Sequence, residues 1–466
     1  MIHGNDLTAR MTEAENIAYF KNIYGCTQEA LEAARDGNTG PSDPINYREL
    51  QKRLDVCQSR LSPLYRSNVG GPYMRILEKM GESGFNQILA RDESREADAG
   101  LMLDIAQAIL QHGEGYNKKM TDAYQEVVSD LYDGFLSAAD RKGIKSPDFE
   151  VIAPLVKWGD PESGPYTWPS DATGSLGVKT AIVSLPAANA QHGILAWATL
   201  GHETSGHDIL HADRGLQEEL GKCVRNALKN ADVNDMLPNY WATRIDETAS
   251  DALGILNMGP AAGISLVGYF RAMNAANGKE PILRNVGPES DPHPADVLRG
   301  YLAASVVRLL NFGKAGVWAE AIEGEVDKDL TEIKLGSNNV IIAADEAKKA
   351  AEVVASCLVK TRVRSLDDHA LGEIQNWNDS DEQIVRKIRA SLRVSDPLPE
   401  LYGAETYAAH VVAAAIVEAL QGSTGLSVLF DRMISTLKIM HDKNPSWGPL
   451  YVRHPGDITL LRAYCC

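Results

Sequence analysis

Between Ile194 and Gly254 the chain twice runs ionisable side chains into stretches that are otherwise apolar and helix-forming. This limits what it can fold into more than any other feature. In the first stretch, Ile194-Leu-Ala-Trp-Ala-Thr-Leu-Gly201 leads straight into His202-Glu203-Thr204-Ser205-Gly206-His207. In the second, Tyr240 to Gly254 reads as a helix with Glu247, Asp251 and Gly254 on one face at i, i+4 and i+7. Two acids on a stripe that should be buried are costly unless something positive neutralises them. A divalent metal ion would do so. The alternative is an exposed acidic face, which the flanking Ala249, Ala252, Leu253 and Leu256 do not resemble.

The first stretch supplies metal ligands of the right type. Two histidines one helical turn apart can hold zinc, and a glutamate directly after the first can act as general base on the metal's water. On this reading His202 and His207 are ligands, Glu203 is the base, Glu247 is the third ligand, and Asp251 accepts a hydrogen bond from a ligating imidazole. The usual histidine spacing is four residues; here it is five. On an ideal helix that leaves His202 and His207 about 140° apart, a gap that a π-bulge eased by Gly206 would close. A second register pairs His207 with His211 and puts Asp208 at the base position. Glutamate reaches where aspartate falls a methylene short, so the first register is preferred and His211 stays outside the ligand set. A third element, Asp291-Pro-His293-Pro294 with Arg299 six residues on, reads either as a plain helix start or as a pair that stabilises an oxyanion.

Charge and composition exclude several other classes. A formal net charge of −17 over 466 residues argues against a general nucleic-acid binder and against docking on anionic membranes. The N-terminus has no basic stretch followed by an apolar core, and no window supplies the ~18–20 apolar residues of a spanning helix. The best such window, Ala408 to Leu420, carries His410 and Glu418. A soluble, cytoplasmic protein is expected. Cys26, Cys57, Cys223 and Cys357 stand alone, with no Cys-x-x-Cys pair, and read as reduced thiols. Cys465-Cys466 has no polybasic lead-in that would mark it as a lipidation signal.

Hydrophobic periodicity predicts a mainly α protein with a small β-sheet (α+β). Amphipathic helices are expected from residue 8 to about 145: one opening at Thr12-Glu13-Ala14-Glu15, then Tyr47 to Leu61, Ser94 to Gln111 and Lys119 to Ala138. The character changes after Lys145. Phe149 to Val156 and Val178 to Leu185 read as strands flanking a Gly/Pro/Ser loop from Gly159 to Gly177. A long helical pattern then starts near Ala188 and passes through His202. Further helices are expected over Gln217 to Asn230, Tyr240 to Met258, Pro294 to Asn311 and Val317 to Glu323, and Ala343 to Lys443 is almost wholly helical. Three regions follow: helical 1–145, a core at 146–313 that carries the chemistry, and helical 314–466.

In this order the three segments resemble a gluzincin metallopeptidase. The His-Glu-x-x-Gly-His form is similar to that of dipeptidyl peptidase III. The Glu-x-x-x-Asp helix and the His-Pro with a following Arg are similar to the CAAX-prenyl-protease class. The resemblance spans residues from about 178 to 300 and implies a zincin-like catalytic core flanked by helical regions. Residue by residue it implies Zn2+ on His202, His207 and Glu247, a base at Glu203, and oxyanion contacts from His293 and Arg299. Gluzincins commonly set a sheet-edge strand beside the metal helix, and the alternation Val178, Thr180, Ile182, Ser184 fits such an edge. The membrane substrates of the prenyl-protease class are not carried over, since the spans are missing. The expected activity is peptide hydrolysis, with a peptide or small amide as substrate and no nucleic-acid or membrane partner. The alternatives are a zinc amide or ester hydrolase, or a catalytically silent metal-binding protein. A His2Glu set favours zinc over manganese or cobalt, and a spare carboxylate at the base position favours catalysis over a structural site.

Overall fold

The computed structural model describes residues 20–136, 141, 143–148, 151–394, 406–443 and 451–452. The helix start expected at Thr12 and the terminal cysteines lie outside them. The described chain is mainly helical, with two three-stranded sheets and one two-stranded ribbon. Contacts divide it into two compact units, each assembled from separated stretches. Among the described residues, one holds Phe20–Arg35, His192–His202 and Gly215–Met433; the other lies within Asp36–Gln191, Glu203–Arg214, Ile434–Lys443 and residues 451–452.

The first unit is built on helices buried along nearly their whole length. In Ile245–Met258 and Asp296–Arg308 almost every residue is buried, and in Pro260–Ala276 most are. Such helices need small residues at their contacts, and Ala, Gly and Ser supply them. The first two are joined by Gly259, whose φ of 68° turns the chain sharply and whose missing Cβ would sit 2.5 Å from the Trp377 ring. Ile23–Arg35 packs on Pro260–Ala276, while Ala315–Asp327 and Ala344–Lys360 pack on Asp296–Arg308. A small sheet adds Val286–Gly287 parallel to Ile333–Leu335, which pairs antiparallel with Val340–Ile342.

The second unit packs helices Tyr47–Gln58, Gly71–Arg91, Asp98–Glu114 and Lys118–Leu136 around a three-stranded sheet. Its helix starts follow local chemistry: the Asn46 side chain accepts from the Glu49 amide at 3.0 Å, capping Tyr47–Gln58. The sheet order is Leu155–Gly159, Ile182–Pro186, Tyr166–Trp168, the first pair parallel and the second antiparallel. An exposed outer strand edge would leave backbone groups unpaired. Along Leu155–Gly159, glutamines from two helices fill that need. Gln111 exchanges two 2.8 Å hydrogen bonds with the Trp158 backbone, and Gln125 donates to Pro154 O (2.9 Å) while accepting from Val156 N (3.3 Å). The opposite edge is Tyr166–Trp168.

Three expectations change here. The strand at 178–185 is not an edge: Ile182–Pro186 is the central strand and is buried on both faces. The edge strand instead lies inside the supposed loop 159–177, which also holds the short helix Ser170–Gly174. Three residues of Tyr-Thr-Trp are too few to display a period. Finally, Tyr240–Met258 is two helices, Leu237–Ala242 and Ile245–Met258, broken at Thr243 and Arg244.

Candidate metal centre

The continuous helix expected from Ala188 through His202 is interrupted. Two 3-10 turns, Ala187–Ala190 and Ile194–Ala198, flank Gly193 at φ 83°, and the α-helix proper is only Thr199–Ser205. It carries His202 and ends before His207, which lies in the following turn. No π-bulge forms along this segment: the helix ends at Ser205 and the backbone turns there.

Within the first unit His202 is held from two sides. Its Nδ1 lies 2.8 Å from Asp251 Oδ1 and its Nε2 lies 3.3 Å from Glu247 Oε2. Both acids sit one turn apart on Ile245–Met258, the face the sequence singled out. Gly254, one turn further, explains its own place on that stripe. A Cβ there would come within 3.0 Å of Gly201 C and 3.1 Å of His202 N, so the two helices touch backbone to backbone. That contact brings the imidazole within reach of both carboxylates.

Arg299 completes the group. It is buried on Asp296–Arg308, donates from Nε and Nη2 to Asp251 at 2.7 and 2.8 Å, and lies 3.6 Å from Glu247 Oε2. Its guanidinium also stacks on Phe270 at 4.5 Å. Burial opposes ionisation of Asp251, but Arg299 and His202 outweigh it and hold the carboxyl well below its usual range. Because that carboxylate can only accept, Nδ1 of His202 carries a proton and Nε2 faces Glu247. Two carboxylates against one guanidinium leave a buried negative charge. In the metal-free site the imidazole answers it: burial opposes its charged form, yet hydrogen bonds to Asp251 and Glu247 raise it to about 10. The site therefore calls for one more positive charge than its fixed groups supply, and a divalent ion could provide it.

His293 approaches from the loop before Asp296–Arg308. Its Nε2 is 3.3 Å from Glu247 Oε1, its Nδ1 is 3.1 Å from Asp291 Oδ1, and its side chain is 47% exposed. Of the two residues in this third element, only His293 offers an accessible polar face. Arg299 spends its hydrogen bonds on Asp251, a different post from the oxyanion contact that the resemblance implies. Thus His202, Glu247, Asp251, His293 and Arg299 come together in one unit.

Glu203, His207, Asp208 and His211 belong to the second unit. Glu203 is buried, and its Oε2 receives a 3.0 Å hydrogen bond from Thr167 Oγ1 on the edge strand. Sequence reasoning missed Thr167, since nothing in a polar loop singles out one threonine. Asp208, the alternative base, accepts from the Ser170 amide at 2.9 Å, and burial pushes it up to about 7. His211 stands on the 3-10 turn Ile209–Ala212, 3.6 Å from Asp171. The chain is not α-helical between His207 and His211, so their four-residue spacing does not set them on one face of an α-helix.

Compared with known protein families, with characterised proteins and with solved structures, the chain finds no match in any of the three.

Proposed function

We propose that this chain is a zinc-dependent metallopeptidase of gluzincin type, with His202, His207 and Glu247 as ligands and Glu203 as general base. The observation that carries the reading is the imidazole of His202, fixed at Nδ1 by an ionised Asp251 and aimed through Nε2 at Glu247. A ligating histidine is ordinarily oriented by such a carboxylate. An ion pair that served packing alone would not need two acids and an arginine converging on one buried histidine. When bound, the ion supplies a Lewis acid that polarises a carbonyl and brings the pKa of water toward neutrality.

The chain's own residues do the rest. Asp251 fixes the tautomer and ring plane of His202, and Arg299 keeps Asp251 ionised, which makes Arg299 a positioning residue. Glu203 takes a proton from the attacking water and returns it to the leaving amine, with Thr167 restraining its rotamer. His293, half-exposed beside Glu247, is suited to donate to the substrate oxygen as charge develops there. The edge strand Tyr166–Trp168 favours an extended peptide as substrate, because its outer edge can pair with a backbone. A cytoplasmic location is part of the same proposal. It is supported by four free thiols, at Cys26, Cys57, Cys223 and Cys357; no described helix is long and apolar enough to cross a membrane.

The test is Glu203→Gln. It should retain bound zinc, measured by elemental analysis, and lose chelator-sensitive peptide cleavage by several orders of magnitude. Near-normal turnover in that variant removes Glu203 from the chemistry. A wild-type protein that binds zinc yet cleaves no peptide but does cleave simple amides or esters would favour the broader hydrolase class.

A further inference from the structure

A second set of metal-ligating side chains lies in the unit that packs around the three-stranded sheet. Asp122 and Glu126 are one turn apart on Lys118–Leu136, and both are buried. His441 and Asp442 end the helix Leu426–Lys443. The His441 side chain is 8% exposed and stands between the two acids, its Nε2 3.5 Å from Asp122 Oδ1 and its Nδ1 3.8 Å from Glu126 Oε2. One ligand atom each from Asp122, His441 and Asp442 falls within 4.8 Å of the others. A cavity of about 100 Å3, lined by His112, Lys118, Asp122 and His441 among others, adjoins them. We propose that Asp122, His441 and Asp442, with Glu126 beside them, bind a divalent transition-metal ion and so tie the helix Lys118–Leu136 to the end of Leu426–Lys443.

The chemistry fits a borderline cation. One imidazole with two or three carboxylates suits zinc, manganese or cobalt rather than the all-oxygen shell of calcium or the thiolates of copper(I). Two ammonium groups compete for the same acids. Lys118 Nζ lies 2.8–2.9 Å from both Asp122 oxygens, and Lys438 pairs with Asp442 and lies 3.6 Å from Asp122. The Lys118 side chain is 69% exposed, so it can swing into water when a cation arrives. Lys118 therefore acts as a competitor, and its removal should help the metal.

The experiment is a zinc titration of the metal-stripped full-length protein, with stoichiometry from elemental analysis after desalting. Wild type should bind two equivalents, His202→Ala one and His441→Ala one. Asp442→Asn, at an exposed position, should weaken the second equivalent about tenfold or more. Lys118→Ala, which keeps every ligand, should tighten it several-fold. Loss of metal in His441→Ala alone would uphold this site even if the centre at His202 proved wrong. A single equivalent in wild type that vanishes in His202→Ala would overturn it, and the cluster would then be an ion-pair network only.

Discussion

Replacing Gly254 by alanine probes how the helix of the proposed metal ligand His202 is held. The added methyl would stand 3.0 Å from Gly201 C and 3.1 Å from His202 N, where ordinary contact begins at 3.4 Å. The neighbours are backbone, so no side chain can turn away, and the helices must part by about 0.4 Å. Overpacking of this kind costs ~1–3 kcal/mol. Alanine returns up to ~1 kcal/mol through helix propensity. The net should be a loss of about 1 kcal/mol. The displaced atom is the amide nitrogen of His202 itself, so the strain passes to its 2.8 Å contact with Asp251 and its 3.3 Å approach to Glu247. Zinc affinity should then fall about tenfold, the low end for a disturbed ligand support. Urea denaturation of the metal-free protein and competition against a calibrated chelator measure the two effects. Gly324→Ala is the control: it lies in the exposed part of Ala315–Asp327, where a Cβ meets nothing within 4 Å. It should gain ~0.5–1 kcal/mol and leave metal affinity alone. If Gly254→Ala is also stabilised, with affinity unchanged, the backbone contact does not hold the centre.

Three further outcomes follow from the same geometry. Glu247→Ala should empty the site, whereas Asp251→Asn should reduce affinity or activity ~10–100-fold; equal, full occupancy in both would remove this helix from the centre. His202→Ala should lose the metal of this centre and His211→Ala should keep it, and the reverse result in elemental analysis would restore the second register and end the role given to Glu203. His112, in the other unit, is carried by burial from 6.5 to about 4 while its Nε2 contacts Val156 O at 3.1 Å. A depressed histidine favours the folded state fully above its unfolded pKa and loses that advantage as pH falls through the folded one. Stability should therefore decline from pH 6.5 toward 4, and His112→Gln should flatten the slope by up to ~1.4 kcal/mol per pH unit. An unchanged slope would mean that the histidine already titrates normally when folded.

What the sequence determined by itself was its local frames and the polar side chains they carry. Apolar periodicity announced the helices at Tyr47–Gln58, Asp98–Glu114, Leu216–Lys229 and Asp296–Arg308 within a few residues of their ends, because repeats of 3.6 residues are written in adjacent side chains. The stripe of Glu247, Asp251 and Gly254 was legible for the same reason, and so was the mismatch of two acids with a buried face. Tertiary structure alone decided three things. It turned Arg299 from the substrate side to Asp251, since which acid a guanidinium meets depends on how Asp296–Arg308 packs against Ile245–Met258. It closed one edge of the sheet with Gln111 and Gln125 and left Tyr166–Trp168, three residues without a readable period, at the other edge with Thr167 against Glu203. And it ended the motif helix at Ser205, so that His207 falls in a turn and not on that helix. Helix ends, strand order and charge pairing depend on neighbours distant in sequence, and no window of adjacent residues records them.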